Sequence, residues 1–489
     1  MITIHKVQSA AMNSTGQPFG FLSLPVEIQL EVVSFAQRSS RCNLGATCKR
    51  LQSLTDPFVY SKVEAKLGPG ECISKLCFNL IQPKSERNYR CLRYIKKIRF
   101  HTISPGDQNT EDEESLTTKS DLIPMREVRE IQNMMSWQGI DWSRSINIRP
   151  RWIDATVAAL LSNLMEGQLE GFTWNLDTEP GESLLEYLIV SQPTISSVGL
   201  RMMGSETQNT LYFQPYLTAF TTLKSLDLRF NSRQWPVYAI PDILAANQQA
   251  LERFALSFYF RSGAFSYNIS NLLEDSYGEW KIKNLGKTIQ LKKLTSVRLE
   301  SNAETLAFLR NHKLVEREQI EHLDVWIRGR DITIVFAGTT ARPGGGDLHN
   351  CFSNLKRLHV RLSEVMQHER LSQWDDRYIN YLEHYIGAFD LLEELTIEGL
   401  WEKFDLKEIK LSKATLRTVE LQIKSHGVFY LLEELCAWST GFDNLRRITI
   451  RDTSAVVVRN IDGSFTRTPH GFALLTLIHS CKRCQVSPR

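Results

Sequence analysis

No stretch of this 489-residue sequence approaches the roughly 18 consecutive apolar residues that a membrane-crossing helix requires. The start, Met1-Ile-Thr-Ile-His-Lys-Val-Gln-Ser-Ala-Ala, lacks the basic segment and following apolar stretch of a secretory signal. The expectation is a soluble protein of the cytoplasm and/or nucleus with no membrane partner. An excess of one charge is missing too. The 58 Lys plus Arg against 55 Asp plus Glu leave a net charge of +3, which removes global electrostatics as an argument for a nucleic-acid partner, and none is expected. Cysteines are few and uneven, at positions 42, 48, 72, 77, 91, 351, 436, 481 and 484, unlike the dense even framework of small secreted domains. A reducing compartment follows, and the sequons Asn13-Ser-Thr and Asn268-Ile-Ser are then chance matches.

The patterns that carry chemistry are also missing. There is no HExxH pair for zinc and no GxSxG elbow for a nucleophilic serine. Gly344-Gly-Gly has neither the GxGxxG nor the GxxxxGK[ST] spacing of a phosphate loop. Cys481-Lys-Arg-Cys484 has the spacing of half a zinc site, but no second CxxC or spaced histidine pair lies near it. The histidines at 312, 322, 349, 359, 368 and 384 are too dispersed to form a local ligand set. No catalytic residue, metal or cofactor is expected, although a site assembled from distant residues is a rival that one sequence leaves open.

What is present begins near Phe19, after a polar arm over 1–18. The run Phe21-Leu-Ser-Leu-Pro-Val-Glu-Ile-Gln-Leu-Glu-Val-Val-Ser-Phe predicts a helix with Pro25 in its first turn and Glu27 at the positive end of the dipole. Ile28, Val32 and Phe35 share one face of it. After a polar break over 37–41, Leu44, Cys48 and Leu51 fall at i, i+4 and i+7 and predict a second short helix, ended by Asp56-Pro57.

The order Leu24-Pro25-x-Glu27-Ile28, then Leu44, Thr47-Cys48-Lys49-Arg50-Leu51, Pro57 and Tyr60 resembles the F-box motif in its fungal-looking form, over about residues 21–64. In that family the module docks on the Skp adaptor of SCF-type ubiquitin ligases. The resemblance therefore implies that Leu24, Pro25, Ile28, Leu44, Cys48 and Leu51 form or support an adaptor-binding surface. Arg38-Ser-Ser-Arg-Cys-Asn43 stands where many members carry an acidic residue and a leucine. The bland reading of the segment is a helical cap for whatever follows.

From residue 95 a leucine-x-x-leucine-x-leucine spacing recurs, the pattern of a short strand whose inward side chains build a continuous core. The fullest copies are Leu223/Leu226/Leu228 with Asn231 and Leu294/Val297/Leu299 with Asn302. Looser ones are Ile95/Ile98/Phe100, Leu169/Phe172/Trp174, Ile195/Val198/Leu200, Leu251/Phe254/Leu256, Ile320/Leu323/Val325, Leu355/Leu358/Val360, Leu392/Leu395/Ile397, Leu416/Val419/Leu421 and Leu445/Ile448/Ile450. From Leu169 on, first positions lie between 24 residues (Leu392 to Leu416) and 43 residues (Leu251 to Leu294) apart, at or above the usual ~20–29 of leucine-rich repeats. Between them Ile153/Val157/Leu160/Leu164, Ile243/Leu244/Asn247/Leu251 and Ile379/Leu382/Ile386/Phe389 have helical period, and Leu474/Leu477/Ile478/Cys481 has that of a terminal cap.

The expected fold is thus α/β, a helical head over 19–64 and an irregular leucine-rich-repeat-like solenoid of parallel strands and helices over 65–489. A doubly wound sheet is the competing architecture. Two insertions interrupt the repeats: an acidic segment over 104–121, too poor in apolar groups to order itself, with a docking site for a basic partner as the lesser reading, and a Gly-rich loop over 338–348. Trp235, Trp280, Trp374 and Trp401 could anchor a partner on the concave face but read as core filler in the main. Trp326, in Leu323-Asp-Val-Trp-Ile-Arg, alternates away from the core and is the residue expected to meet a substrate.

Together the head and repeats resemble the substrate receptor of a cullin-RING (SCF) ligase. The resemblance implies a Skp-family adaptor and, through it, cullin/RING as partners, and an unidentified target protein on the repeats. The alternative is an F-box/leucine-rich-repeat interaction scaffold without ligase output.

Overall fold

The computed structural model describes residues 21–67, 91–102, 151–176, 180–202, 213–230, 239–258 and 269–300, scattered positions over 305–316, and 318–327, 352–362, 389–400, 415–423, 444–445, 447–451, 455–459 and 465–469. The arm over 1–18, both insertions, Asn231, Asn302, Ile379 to Ile386, Trp235, Trp374, Trp401, the terminal Leu474 to Cys481 element and Cys484 lie outside them. The chain divides into two compact units, Met1–Met203 with Pro215–Phe220, and Gly204–Gln214 with Thr221–Arg489.

The first unit opens with a 3-10 turn, Phe21–Ser23, and three helices: α1 (Val26–Phe35), α2 (Arg38–Thr47) and α3 (Lys49–Tyr60). Two expectations are corrected here. The polar run from Arg38 is itself the first turn of a helix, and a break at Cys48, whose backbone is extended (φ −158°, ψ 160°), separates α2 from α3. Leu44 and Leu51 therefore sit on different helices. Pro57 does not end α3 but lies within its last turns. The residue before it, Asp56, stays helical because buried Leu54 and Thr55 hold the turn that the ring would otherwise disfavour.

Strand β1 (Lys62–Leu67) follows directly, with only Val63, Ala65 and Leu67 on alternate positions, too weak a pattern to be seen in the sequence. It pairs in parallel with β2 (Lys97–Thr102); α4 (Arg151–Ser162), β3 (Gly171–Asn175), α5 (Glu182–Ser191) and β4 (Ser197–Met202) complete an ordered parallel run β1-β2-β3-β4. Next in the chain is α6 (Phe213–Ala219).

The second unit repeats the plan. Its elements are β5 (Ser225–Phe230), α7 (Ile240–Asn247), β6 (Arg253–Phe258), α8 (Ile269–Lys283), β7 (Ser296–Glu300), β8 (His322–Ile327), β9 (Arg357–Leu362), β10 (Glu394–Leu400), β11 (Thr418–Ile423) and β12 (Arg447–Arg451), with the strands parallel in sequence order. The last two, β13 (Ala455–Arg459) and β14 (Phe465–Pro469), run antiparallel. The link from Arg451 to Ala455 is far shorter than the dozen or so residues of a parallel crossover, so only a hairpin can form.

Each leucine-spaced triad lies on a strand from β2 to β12, its first residue in the turn just before it. From Ile95/Ile98/Phe100 to Leu416/Val419/Leu421 the triads are buried, and within each unit they stack in register, Phe254 beside Val297 beside Leu323 beside Leu358, for example. Leu251 belongs to such a triad and not to α7, which stops at Asn247.

Two devices join one repeat to the next. A single carbonyl before each strand accepts two backbone N–H groups from the following repeat: Ser61 from Lys96 and Lys97, Lys96 from Glu170 and Gly171, Thr295 from Glu321 and His322, Glu321 from Lys356 and Arg357, Lys356 from Glu393 and Glu394, Glu393 from Arg417 and Thr418. The side chains at this rung pair across repeats, Lys356 Nζ with Glu321 at 2.9 Å and Arg417 with Glu393 at 3.1 Å. Beneath it, buried amides tie loops to strands. Gln192 Oε1 accepts from Leu169 N at 2.7 Å, Asn247 Oδ1 from Leu223 N at 3.0 Å, and Gln168 Nε2 donates to the carbonyls of Leu92 and Ile95 at 2.7 and 2.8 Å. A buried turn without such partners would leave peptide groups unsatisfied.

Candidate functional site

Helix α1 has a buried side and an exposed apolar side. Gln29 and Val33 point inward, where the helix packs on α3 with its buried Leu51, Leu54 and Thr55. Ile28, Val32 and Phe35, at i, i+4 and i+7, form a separate stripe and are 43%, 48% and 81% exposed. Leu22 and Val26 add exposed apolar surface near its N-terminal end. A stripe of this kind on so small a module is unusual, because contiguous apolar surface in water marks a contact site.

Two polar side chains fix this helix. Gln29 is buried, and its Nε2 donates to the carbonyls of Leu22 and Leu24 at 3.2 and 2.6 Å, holding the 3-10 turn against α1. Arg41 reaches from α2 to the other end: Nε donates to Val33 O at 2.9 Å, Nη2 to Ser34 O at 2.5 Å, and its guanidinium lies 5.2 Å from the Phe58 ring centre. These carbonyls are in the last turn of α1, where a cation also meets the negative end of the dipole. Gly45 brings α2 close to α3, for a Cβ there would sit 2.5 Å from Thr55 Oγ1.

The sequence-predicted residues separate into three environments. Pro25, Ile28 and Cys48 are exposed, Leu24 and Leu44 are half-buried, and Leu51 is only 8% exposed, inside the module. Leu51 can support a docking surface but not touch a partner. Reasoning from sequence missed Gln29 and Arg41, which look like ordinary polar surface residues; the arginine standing in the segment that departs from the resembled motif was the one available signal.

The second candidate surface is the side of the β7–β10 strands opposite the triads. Trp326 on β8 is half-buried and alternates with buried Leu323 and Val325, as its register requires, and it is opposite Arg361 on β9. Around it lies a charged cluster. Arg298 Nε is 3.3 Å from Asp324, His359 Nδ1 is 3.5 Å from Asp324 and its Nε2 2.9 Å from Glu398, and Arg361 Nε is 3.4 Å from Glu398. Burial pushes the His359 imidazole down, but hydrogen bonds to Asp324 and Glu398 outweigh it and carry the group up to about 9. The hydrogen bond from His359 holds Glu398 below its ordinary value; Asp324 is also held low, its burial outweighed by His359, Arg298 and Arg361. Trp280, by contrast, is buried core, 5.8 Å from Tyr277. Among the described residues no group of three or more His, Cys, Asp or Glu is placed to hold a metal ion, and no helix is long and apolar enough to cross a membrane.

Residues 21–65 match the F-box-like family model. No curated protein matches the chain. Among solved structures, a Bacteroides fragilis protein from a structural-genomics programme aligns at 12% identity and a TM-score of 0.31, over 58% of this chain and 65% of that one.

Proposed function

We propose that this chain is the substrate receptor of an SCF-type (cullin-RING) ubiquitin ligase, its F-box-like head of the fungal type holding a Skp-family adaptor and its repeats holding a target protein. The observation that carries the reading is the exposed Ile28–Val32–Phe35 stripe on a module that matches the F-box-like family. In this reading Leu24, Pro25, Leu44 and Cys48 belong to the docking surface with the stripe, Leu51 supports it from inside, and Trp326 meets the target within its charged surround. The mechanism is proximity. Tethering a target near a conjugating enzyme borne by the partner complex raises the effective concentration of its lysines, and this chain itself needs no reacting group.

The test is co-purification of the full chain with a Skp-family adaptor and a cullin, beside the variant Ile28→Asp/Val32→Asp. Burying each aliphatic in an interface contributes about 1.5–3 kcal/mol, so the double variant is expected to bind the adaptor at least ~100-fold more weakly. Both substituted positions are exposed, so folding is preserved and far-ultraviolet circular dichroism is unchanged. Equal adaptor capture by both proteins sinks the docking surface. Capture of the adaptor without cullin leaves the scaffold alternative.

A further inference from the structure

The C-terminal end of α8 carries the most exposed aliphatic side chain among the described residues. Ile282 is 80% and Leu285 92% exposed, in a stretch that also holds Lys281, Lys283, Lys287, Lys292 and Lys293 and no carboxylate from 281 to 293. The helix ends in a Schellman-type turn: Gly286 N donates to Lys281 O at 2.8 Å and Leu285 N to Ile282 O at 3.3 Å. In such a turn the left-handed position usually belongs to glycine. Here it is Leu285, with φ 55°, and the glycine comes one residue later. A leucine thus occupies a conformation it disfavours while its side chain gains no burial.

The other non-glycine residue with positive φ among the described residues is Lys313, also exposed, with φ 53°. It adjoins the same place, because its neighbour His312 packs on Tyr277 of α8 with ring centres 4.7 Å apart, and Leu314 O accepts from Leu291 N. Lys281 meets the same ring, its Nζ 4.6 Å from the Tyr277 ring centre. Of the two described non-glycine residues with positive φ, one thus forms the exposed C-terminal turn of α8 and the other follows a residue that packs on the same helix. Unfavourable local geometry that survives in a fold points to a function that needs it. Lysines near a helix C-terminus favour the dipole, which accounts for some of the charge but for neither aliphatic residue. Glu279 is the carboxylate one turn away on α8.

We propose that this helix end is a peripheral contact for an anionic lipid surface, Ile282 and Leu285 inserting among the acyl chains while the lysines meet lipid phosphates and carboxylates. Two almost fully exposed tips at one helix end fit a deformable layer; a protein partner would need a matching cavity for each. Such contact needs no spanning helix. Each lysine brought to an anionic surface strengthens attraction about fivefold, and each aliphatic inserted adds roughly tenfold or more.

The experiment is co-sedimentation of the full chain with vesicles of phosphatidylcholine and phosphatidylserine, and with phosphatidylcholine alone, for the wild type, Leu285→Gly, Ile282→Ser and Lys283→Gln/Lys287→Gln. The wild type is expected to pellet with the anionic vesicles, to be released by salt, and to ignore the neutral ones. Leu285→Gly and Ile282→Ser should each lose about tenfold in partitioning. Glycine accepts the left-handed backbone, so Leu285→Gly should melt at the same or a higher temperature, which separates lost contact from lost folding. Absence of binding to anionic vesicles, equal binding by all the variants, or equal binding to neutral vesicles overturns the proposal. So does capture of an acidic leucine-bearing peptide in place of vesicles, which would assign the patch to a protein partner.

Discussion

Replacing Gly45 by alanine should destabilise the helical head, against the usual rule for a helix interior. An alanine in the middle of a helix is ordinarily more stable than glycine by roughly 0.5–1 kcal/mol, because glycine loses more backbone freedom on folding. At Gly45 the new Cβ would stand 2.5 Å from Thr55 Oγ1, nearly an ångström inside ordinary contact, and that hydroxyl is held on α3 by its bond to Gln52 O at 3.2 Å. Overpacking of this kind costs about 1–3 kcal/mol, so the net expectation for Gly45→Ala is a loss of about 1–2 kcal/mol. Thr55→Ala removes the obstructing oxygen. On that background Gly45→Ala should become neutral or stabilising, and the double-mutant cycle should show a coupling of about 1–3 kcal/mol. Urea unfolding of the four proteins, followed by hydrogen exchange of α2 and α3 amides, measures it. If Gly45→Ala stabilises equally with and without the Thr55 hydroxyl, the close approach of α2 and α3 is wrong.

Two further outcomes follow. His359 titrates at about 9 in the folded chain against an ordinary 6.5, so its contribution is fully present below pH 6.5 and is lost as pH rises through 9; by linkage it amounts to about 3 kcal/mol at most. The lowered Asp324 and Glu398 act in the opposite sense, losing their contribution as pH falls below their ordinary 3.8 and 4.5. Urea midpoints should therefore peak between those limits, and His359→Gln should flatten the alkaline side; an unchanged alkaline limb would show that the cluster does not hold the imidazolium. Arg41→Ala should lower stability by about 1–2 kcal/mol and speed exchange of the last amides of α1, while Arg41→Lys restores only part, because one ammonium does not reproduce a planar fork bridging two carbonyls. Full rescue by lysine would refute that account.

The repeats were readable because their signal is redundant. A triad such as Leu355/Leu358/Val360 is weak alone, but burial on one side of a parallel sheet imposes the same spacing on every strand, and β2 to β12 follow it. The head was readable as a motif and less so as a shape. Nothing local in Cys42 to Leu51 says that the helix breaks at Cys48, which depends on α3 packing against α1, and Pro57 within α3 depends on the burial of Leu54 and Thr55. Strand β1 offers three small or branched apolar residues and is fixed mainly by its partner β2. At the site, periodicity revealed that Ile28, Val32 and Phe35 share a face. It could not tell that the face is exposed, since a stripe for a core and a stripe for a partner are written in the same residues. Arg41 and Gln29 act on carbonyls, which no side-chain pattern records.

The alternating charges along the strand-entry rung bear on how such a chain can lengthen. Over β8 to β11 the rung runs Glu321, Lys356, Glu393, Arg417. Duplicating one repeat would place like signs side by side at the seam, whereas copying two consecutive repeats would preserve the alternation throughout. Each exposed pair contributes under about 1 kcal/mol, so the bias is mild at any one seam. Summed over many trials it makes the pair of repeats, and not the single repeat, the natural module of growth in this part of the protein.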